Sequence, residues 1–175
     1  MENETLGIVP DDGTKEGSSQ LSDAVMDALS NRLGERMDEY VFPPPVFVAM
    51  QGEFLDVDLD DGSLTARFPV LGDYLNPFGT MQGGIIAAAV DNTLGPLSVL
   101  IAPPNVTRRL EVTYSRPITP DLGHIIVVGK LLERAGRRLF FKADVRDEAG
   151  VRLARAKAVH WVVDEAGGGE TEEGE

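Results

Sequence analysis

Gln82-Gly83-Gly84-Ile85-Ile86-Ala87-Ala88-Ala89-Val90-Asp91 opens with two glycines, runs through small and apolar side chains, and ends on a single carboxylate. After Gly84 no turn residue interrupts it, so it reads as a helix whose small side chains allow close packing. Gly95-Pro96 should end or kink that helix, because proline lacks the N–H donor and clashes with the preceding turn. The first turn of a helix presents unpaired N–H groups and a partial positive charge. Glycine at that entry lets a ligand approach the backbone closely, which is the physical recipe for an oxyanion hole. Asp91 comes seven residues after Gly84, on the same helical face but about 10 Å further along the axis. A reacting carbonyl must lie within about 3 Å of both its donors and its attacking group. One chain cannot readily supply both from one helix. A two-fold pairing can, by setting Asp91 of one copy opposite Gly83 and Gly84 of the other.

These residues alone leave two readings open. The glycines could serve only tight helix–sheet packing, with Asp91 an ordinary helical acid. Against that stand Ile85 to Val90, uniformly apolar, which make a solvated face hard to draw and imply a partner or a task for the acid.

Upstream, residues 21–38 place Leu21, Val25, Ala28, Leu29, Leu33 and Met37 at helical spacing, with Ser22 or Asp23 as capping candidates. Pro43-Pro44-Pro45 forbids continuation of that helix. Residues 46–59 and 63–70 read as strands joined by the hairpin signal Asp60-Asp61-Gly62. A loop rich in Gly, Asn and Pro follows, from Leu71 to Met81. Downstream of Thr107 the period changes to two, and strands are predicted at 107–115, 124–134, 138–147 and 151–163, forming an antiparallel meander. Ala154, Ala156 and Ala158 share one face of the last strand, a surface against which a helix can lie close. The predicted class is α+β: one long central helix wrapped by a curled antiparallel sheet. It occupies a single domain over 21–164, between a disordered segment 1–20 and a disordered acidic tail 165–175.

Net charge is −13 over 175 residues, and its placement is uneven. Residues 1–20 carry −4 and residues 164–175 carry −6, so the body is only −3. Within it, residues 21–104 carry −9 and residues 105–163 carry +6, a basic half suited either to an anionic ligand or to neutralising the other half. The acidic total and the lack of aromatic-rich basic stretches exclude nucleic acid as a partner. No continuous apolar run approaches the roughly 18–20 residues of a membrane span, and the first twenty residues lack a secretory pattern, so a cytoplasmic address is expected. With no cysteine, disulfides, thiolate metal sites and cysteine nucleophiles are excluded. His124 and His160 are the only histidines, too few for a histidine-rich metal centre, and they read as surface or strand-packed residues.

Asn76-Pro77-x-Gly79-x-x-Gln82-Gly83-Gly84 and the apolar run to Asp91 resemble the signature of PaaI-like hotdog acyl-CoA thioesterases. The resemblance extends through Val112-Thr113-Tyr114-Ser115-Arg116-Pro117, Gly136-Arg137-Arg138 and Asp147-Glu148-Ala149-Gly150, covering roughly residues 46–163. It implies a hotdog fold, edge-to-edge dimers with the active site at the interface, and a homodimer or homotetramer as the assembly. It also implies that Asn76 and a Gly83 or Gly84 N–H polarise the thioester carbonyl, and that Asp91 acts as nucleophile or general base. Thr107 matches the family's assisting hydroxyl at the start of the next strand. One departure stands out: Gln82 replaces the usual histidine, and glutamine cannot titrate near neutral pH.

Arg108, Arg109, Arg137 and Arg138 are candidates for the phosphates of coenzyme A, since guanidinium suits bidentate phosphate contact. Trp161 and Tyr114 read as core or interface aromatics. No serine triad context surrounds Ser98 or Ser115. The expected activity is hydrolysis of a small aryl or short- to medium-chain acyl-CoA, with no metal and no cofactor beyond coenzyme A as part of the substrate. The alternatives are a non-catalytic acyl-CoA-binding module, a hydratase or dehydratase, and a protein scaffold.

Overall fold

The computed structural model describes residues 15–35 and 41–163. In chain order the elements are α1 (Lys15–Leu33), α2 (Pro45–Ala49), β1 (Glu53–Asp58), β2 (Ser63–Pro69), α3 (Gly83–Ile101), β3 (Asn105–Tyr114), β4 (His124–Ala135), β5 (Arg138–Arg146) and β6 (Arg152–Val162). The strands form one sheet in the order β1-β2-β4-β5-β6-β3, antiparallel at every neighbour. Alternation decides which face each strand turns to α3. Leu64, Ala66 and Phe68 of β2, Ile125 and Val127 of β4, Leu139, Phe141, Ala143 and Val145 of β5, and Ala154, Ala156 and Ala158 of β6 are all buried. Ile86, Ala89, Val90, Leu94 and Leu97 of α3 meet them. This is the α+β architecture expected: one central helix against a curled antiparallel sheet.

The helix settles onto bare backbone at one point. A Cβ added at Gly129 of β4 would lie 2.7 Å from Leu94 Cδ2 and 3.4 Å from Thr93 Cγ2. Gly129→Val should therefore force α3 off the sheet or Leu94 out of its rotamer, at a cost of about 1–3 kcal/mol. A lowered midpoint of denaturant unfolding checks this; an unchanged midpoint would mean that the helix–sheet contact is looser than described.

Four expectations need correction. Gly95-Pro96 does not end the helix: α3 continues to Ile101, with Pro96 buried inside it. An interior proline costs about 3 kcal/mol, whereas burying Leu94, Leu97 and Leu100 returns about 1.5–3 kcal/mol for each side chain. Residues 46–59 are not one strand but α2 followed by β1. Pro45 suits the first turn of a helix, and Phe47 and Met50, three residues apart, are both buried. The four later strands are not a plain meander. β3 pairs with β6 at the sheet edge, and β4 lies between β2 and β5. Residues 115–123, with Pro117 and Pro120, are too long and proline-rich for a tight hairpin turn. Finally, α1 begins at Lys15, inside the segment read as disordered and ahead of Ser22 and Asp23, and it stops at Leu33 before Gly34, whose φ is +56°. Residues 1–14 and 164–175, and Met37 of the expected helix, lie outside the described residues. Among the described residues, α3 alone is long and apolar enough to match a membrane span, but it is the core helix, with half of that window buried.

Candidate active site

Asp91 sits midway along α3 with an exposed side chain, and it has company that the helix itself does not supply. Thr107 Oγ1, on β3, donates a hydrogen bond to Asp91 Oδ1 at 2.9 Å. The same hydroxyl lies 3.2 Å from His160 Nε2 on β6, because Thr107 and His160 are partners across the β3–β6 ladder. His160 Nδ1 in turn lies 3.0 Å from Asn105 Oδ1. A four-membered polar chain, Asn105–His160–Thr107–Asp91, therefore runs from the sheet interior to the helix surface. His160 is 1% exposed and packs against the Phe141 ring at 4.8 Å. Burial holds its imidazole below the ordinary histidine value, and the Asp91 carboxylate pulls it partway back.

Sequence reasoning passed over His160 as a bystander, yet a signal was available. It continues the alternation of Ala154, Ala156 and Ala158, so it had to face α3 with them. A titratable ring placed under a helix that carries a lone acid is a pairing that period-two parity could have found.

The other half of the site lies at the start of α3. Gln82 is its N-cap and makes no side-chain capping bond; its N–H donates to Tyr74 O at 2.8 Å and its carbonyl accepts from Ile85 and Ile86. Gly83 and Gly84 N–H have no acceptor among the described residues, as the first turn of a helix requires. The two glycines differ. A Cβ at Gly83 would come 3.1 Å from Tyr114 Cζ, and the Tyr114 hydroxyl donates to Gly83 O at 2.8 Å, so this glycine makes room for the tyrosine. A Cβ at Gly84 would meet nothing within 4 Å; that space is open. A groove of about 390 Å³ opens beside Gly83, lined by Thr80, Met81, Gly83, Ile86, Tyr114 and Arg116 among others. Arg116 is a cation there that was not singled out from the sequence as a binding residue.

Asn76 organises its own loop. Its Nδ2 donates to Thr80 Oγ1 at 2.9 Å, and its Oδ1 accepts from Phe78 N at 2.9 Å and Thr80 N at 3.3 Å. One Nδ2 hydrogen is left over, since the amide carries two. Within one chain the two halves stay apart. α3 is a single unbroken helix from Gly83 past Asp91, so the glycine amides and the carboxylate are separated by about 10–12 Å along its axis.

None of the four arginines lines the groove at the start of α3. Arg109 pairs with Glu111, Arg137 donates twice to Val162 O, and Arg138 lies over the Phe140 ring. Arg108 sits at the break in the β3–β6 register between Thr107 and Arg109. Trp161 and Tyr114 are 41% and 50% exposed near the β3 edge, so they are surface rather than core aromatics. Among the described residues, no three His, Asp or Glu side chains gather as a metal group.

No established protein-family profile matches the chain. A Saccharolobus solfataricus protein named as a candidate esterase is 28% identical over 109 residues, covering 59% of this chain and 76% of the relative. Among solved structures, a phenylacetic acid degradation-related protein of Ralstonia eutropha JMP134, described as a candidate thioesterase, superposes with TM-score 0.66 at 24% identity. That match covers 77% of this chain and 98% of that one. PaaI of E. coli gives TM-score 0.66 at 12% identity over 78% and 96% of the two chains. A variant of PaaI from Thermus thermophilus gives 0.63 at 21% over 69% and 100%. The fold is the hotdog fold that these PaaI-type structures share.

Proposed function

We propose that this protein hydrolyses a small acyl-CoA thioester, aryl or short- to medium-chain, to the free acid and coenzyme A. The observation that carries the reading is Asp91: a carboxylate in the middle of the apolar core helix, exposed on one side and held by Thr107. An acid in that setting has work to do. The unpaired amides of Gly83 and Gly84, with the spare Asn76 Nδ2 hydrogen, are the donors suited to the thioester oxygen as it gains charge. Asp91 attacks the carbonyl or activates water against it, and coenzyme A enters only as part of the substrate.

The separation of the two halves along α3 supports a dimer in which each site draws Asp91 from one copy and Gly83 and Gly84 from the other. β3 supports the same arrangement. It is a ten-residue strand at the edge of the sheet, and a long unpaired edge is a template for a second strand. Two such dimers joining gives a tetramer. Arg116 in the groove, together with Arg108, Arg109, Arg137 and Arg138, supplies cations for the coenzyme A phosphates.

Free-thiol release from a panel of acyl-CoAs tests this directly, and the absence of cysteine leaves no thiol background from the protein. Turnover of at least one class is the expected result. Binding without turnover would move the reading to an acyl-CoA-binding module. Gln82, whose side chain caps nothing, would then mark the missing chemistry.

A further inference from the structure

His160 is the only titratable side chain that is fully buried among the described residues, and the reaction outlined above does not use it. The hydrogens around it can be counted. Asn105 Nδ2 donates to Pro103 O at 2.9 Å and Ser98 O at 3.3 Å, which fixes Oδ1 as the atom facing His160 Nδ1. That oxygen only accepts, so Nδ1 carries the hydrogen. A neutral ring then presents Nε2 as a bare lone pair. Thr107 has one hydroxyl hydrogen and two acceptors, Nε2 at 3.2 Å and the Asp91 carboxylate at 2.9 Å. The resting chain is one hydrogen short.

One added proton completes it in either of two ways. A protonated Asp91 can donate to Thr107, whose hydroxyl turns to Nε2. Alternatively, a protonated His160 can donate to Thr107, whose hydroxyl stays on the carboxylate. The two arrangements hold the same number of protons and interconvert by shifts along existing hydrogen bonds.

We propose that His160 is a positioning residue which, through Thr107, takes up the proton that Asp91 removes from the attacking water, so that Asp91 serves as a general base. This rests on the thioester-hydrolase reading. The water oxygen bonds to the carbonyl carbon as its proton passes to Asp91; Asp91 then gives a proton to Thr107 Oγ1 as the Thr107 hydrogen moves onto Nε2. Collapse of the tetrahedral adduct breaks the C–S bond. The stored proton returns along the same chain to the departing sulfur, so thioester and water give acid and thiol. A nucleophilic Asp91 would release no proton in its first step and would leave the chain nothing to receive.

The groups facing the ring are few. α3 contributes Asp91, β3 contributes Asn105 and Thr107, and β5 contributes Leu139 and Phe141. Among the described residues, Asp91 is the only charged one. A ring already protonated cannot accept, so kcat should fall as pH drops through the His160 pKa, which lies below the ordinary 6.5.

The test is His160→Gln, which keeps a hydrogen-bonding side chain but cannot take a proton. kcat for thiol release is expected to drop about 10- to 100-fold with KM unchanged, and the acid limb of the kcat profile to be displaced. Wild-type kcat and an unmoved limb in His160→Gln would overturn the proposal and leave the hydrolase reading standing. Trapping an acyl group on Asp91 by acid quench and mass measurement would overturn it too. No turnover in the wild type would overturn the hydrolase reading itself. If His160→Gln fails to fold, imidazole NMR decides. In Asp91→Asn the His160 pKa should fall, and an unmoved His160 would sink the coupling.

Discussion

Asp91→Asn should cut kcat for acyl-CoA hydrolysis by about 10²–10⁴-fold while leaving the fold intact. The two side chains have nearly the same shape, and the Thr107 hydroxyl can donate to an amide oxygen as it does to the carboxylate. The position is exposed, so stability should change by no more than about 0.5 kcal/mol. What disappears is the capacity to take a proton or to attack a carbonyl, since an amide does neither near neutral pH. Thiol release and a thermal melt on the same preparation separate the two effects. Equal turnover in the variant would remove Asp91 from the chemistry altogether.

Gly84→Leu should move activity and stability in opposite directions. Nothing lies within 4 Å of a Cβ there, and glycine inside a helix is less favourable than alanine by about 0.5–1 kcal/mol, with leucine close to alanine. The variant should therefore melt at the same temperature or higher. Its side chain, however, fills the open space beside the helix amides, so turnover should fall about 10²–10³-fold, as for loss of an oxyanion donor. Mixing then tests whether the site is shared. With Asp91→Asn in one chain and Gly84→Leu in the other, one of the two sites in each mixed dimer recovers both intact halves. Random exchange at equal concentrations makes about half the dimers mixed, which restores about one quarter of wild-type activity. Two inactive preparations that stay inactive after subunit exchange would show that each chain builds its own site.

The architecture was legible because its strongest signals were local. The alternation from Leu110 onward, the turns at Gly62, Gly136 and Gly150 with positive φ, and the apolar helix after Gly84 all act over a few residues. What escaped depended on partners distant in sequence. The path of α3 through Pro96 is decided by packing against β2, β3, β4 and β5, and no local rule weighs that against a proline. The position of β3 depends on the length of the connection after it. α2 hid behind a proline run that looked only like a helix stop, although Pro45 also starts one. Within the candidate site, Asp91, Gly83 and Gly84 stood out because an isolated acid and paired glycines are conspicuous in an apolar run. His160 and Asn105 did not, because each becomes meaningful only when β3 lies against β6 and brings residues 53 and 55 apart in sequence into one chain.

The Asn76 loop separates what must stay fixed from what need not. Its shape is held by the Asn76 side chain, by Thr80, by Gly79 at φ +75° and by the Leu75–Met81 bridge. Phe78, 90% exposed, contributes only its backbone N–H to that shape. Laboratory evolution can therefore randomise Phe78 and sample new contacts at the rim, while the socket that aims the Asn76 amide keeps its form.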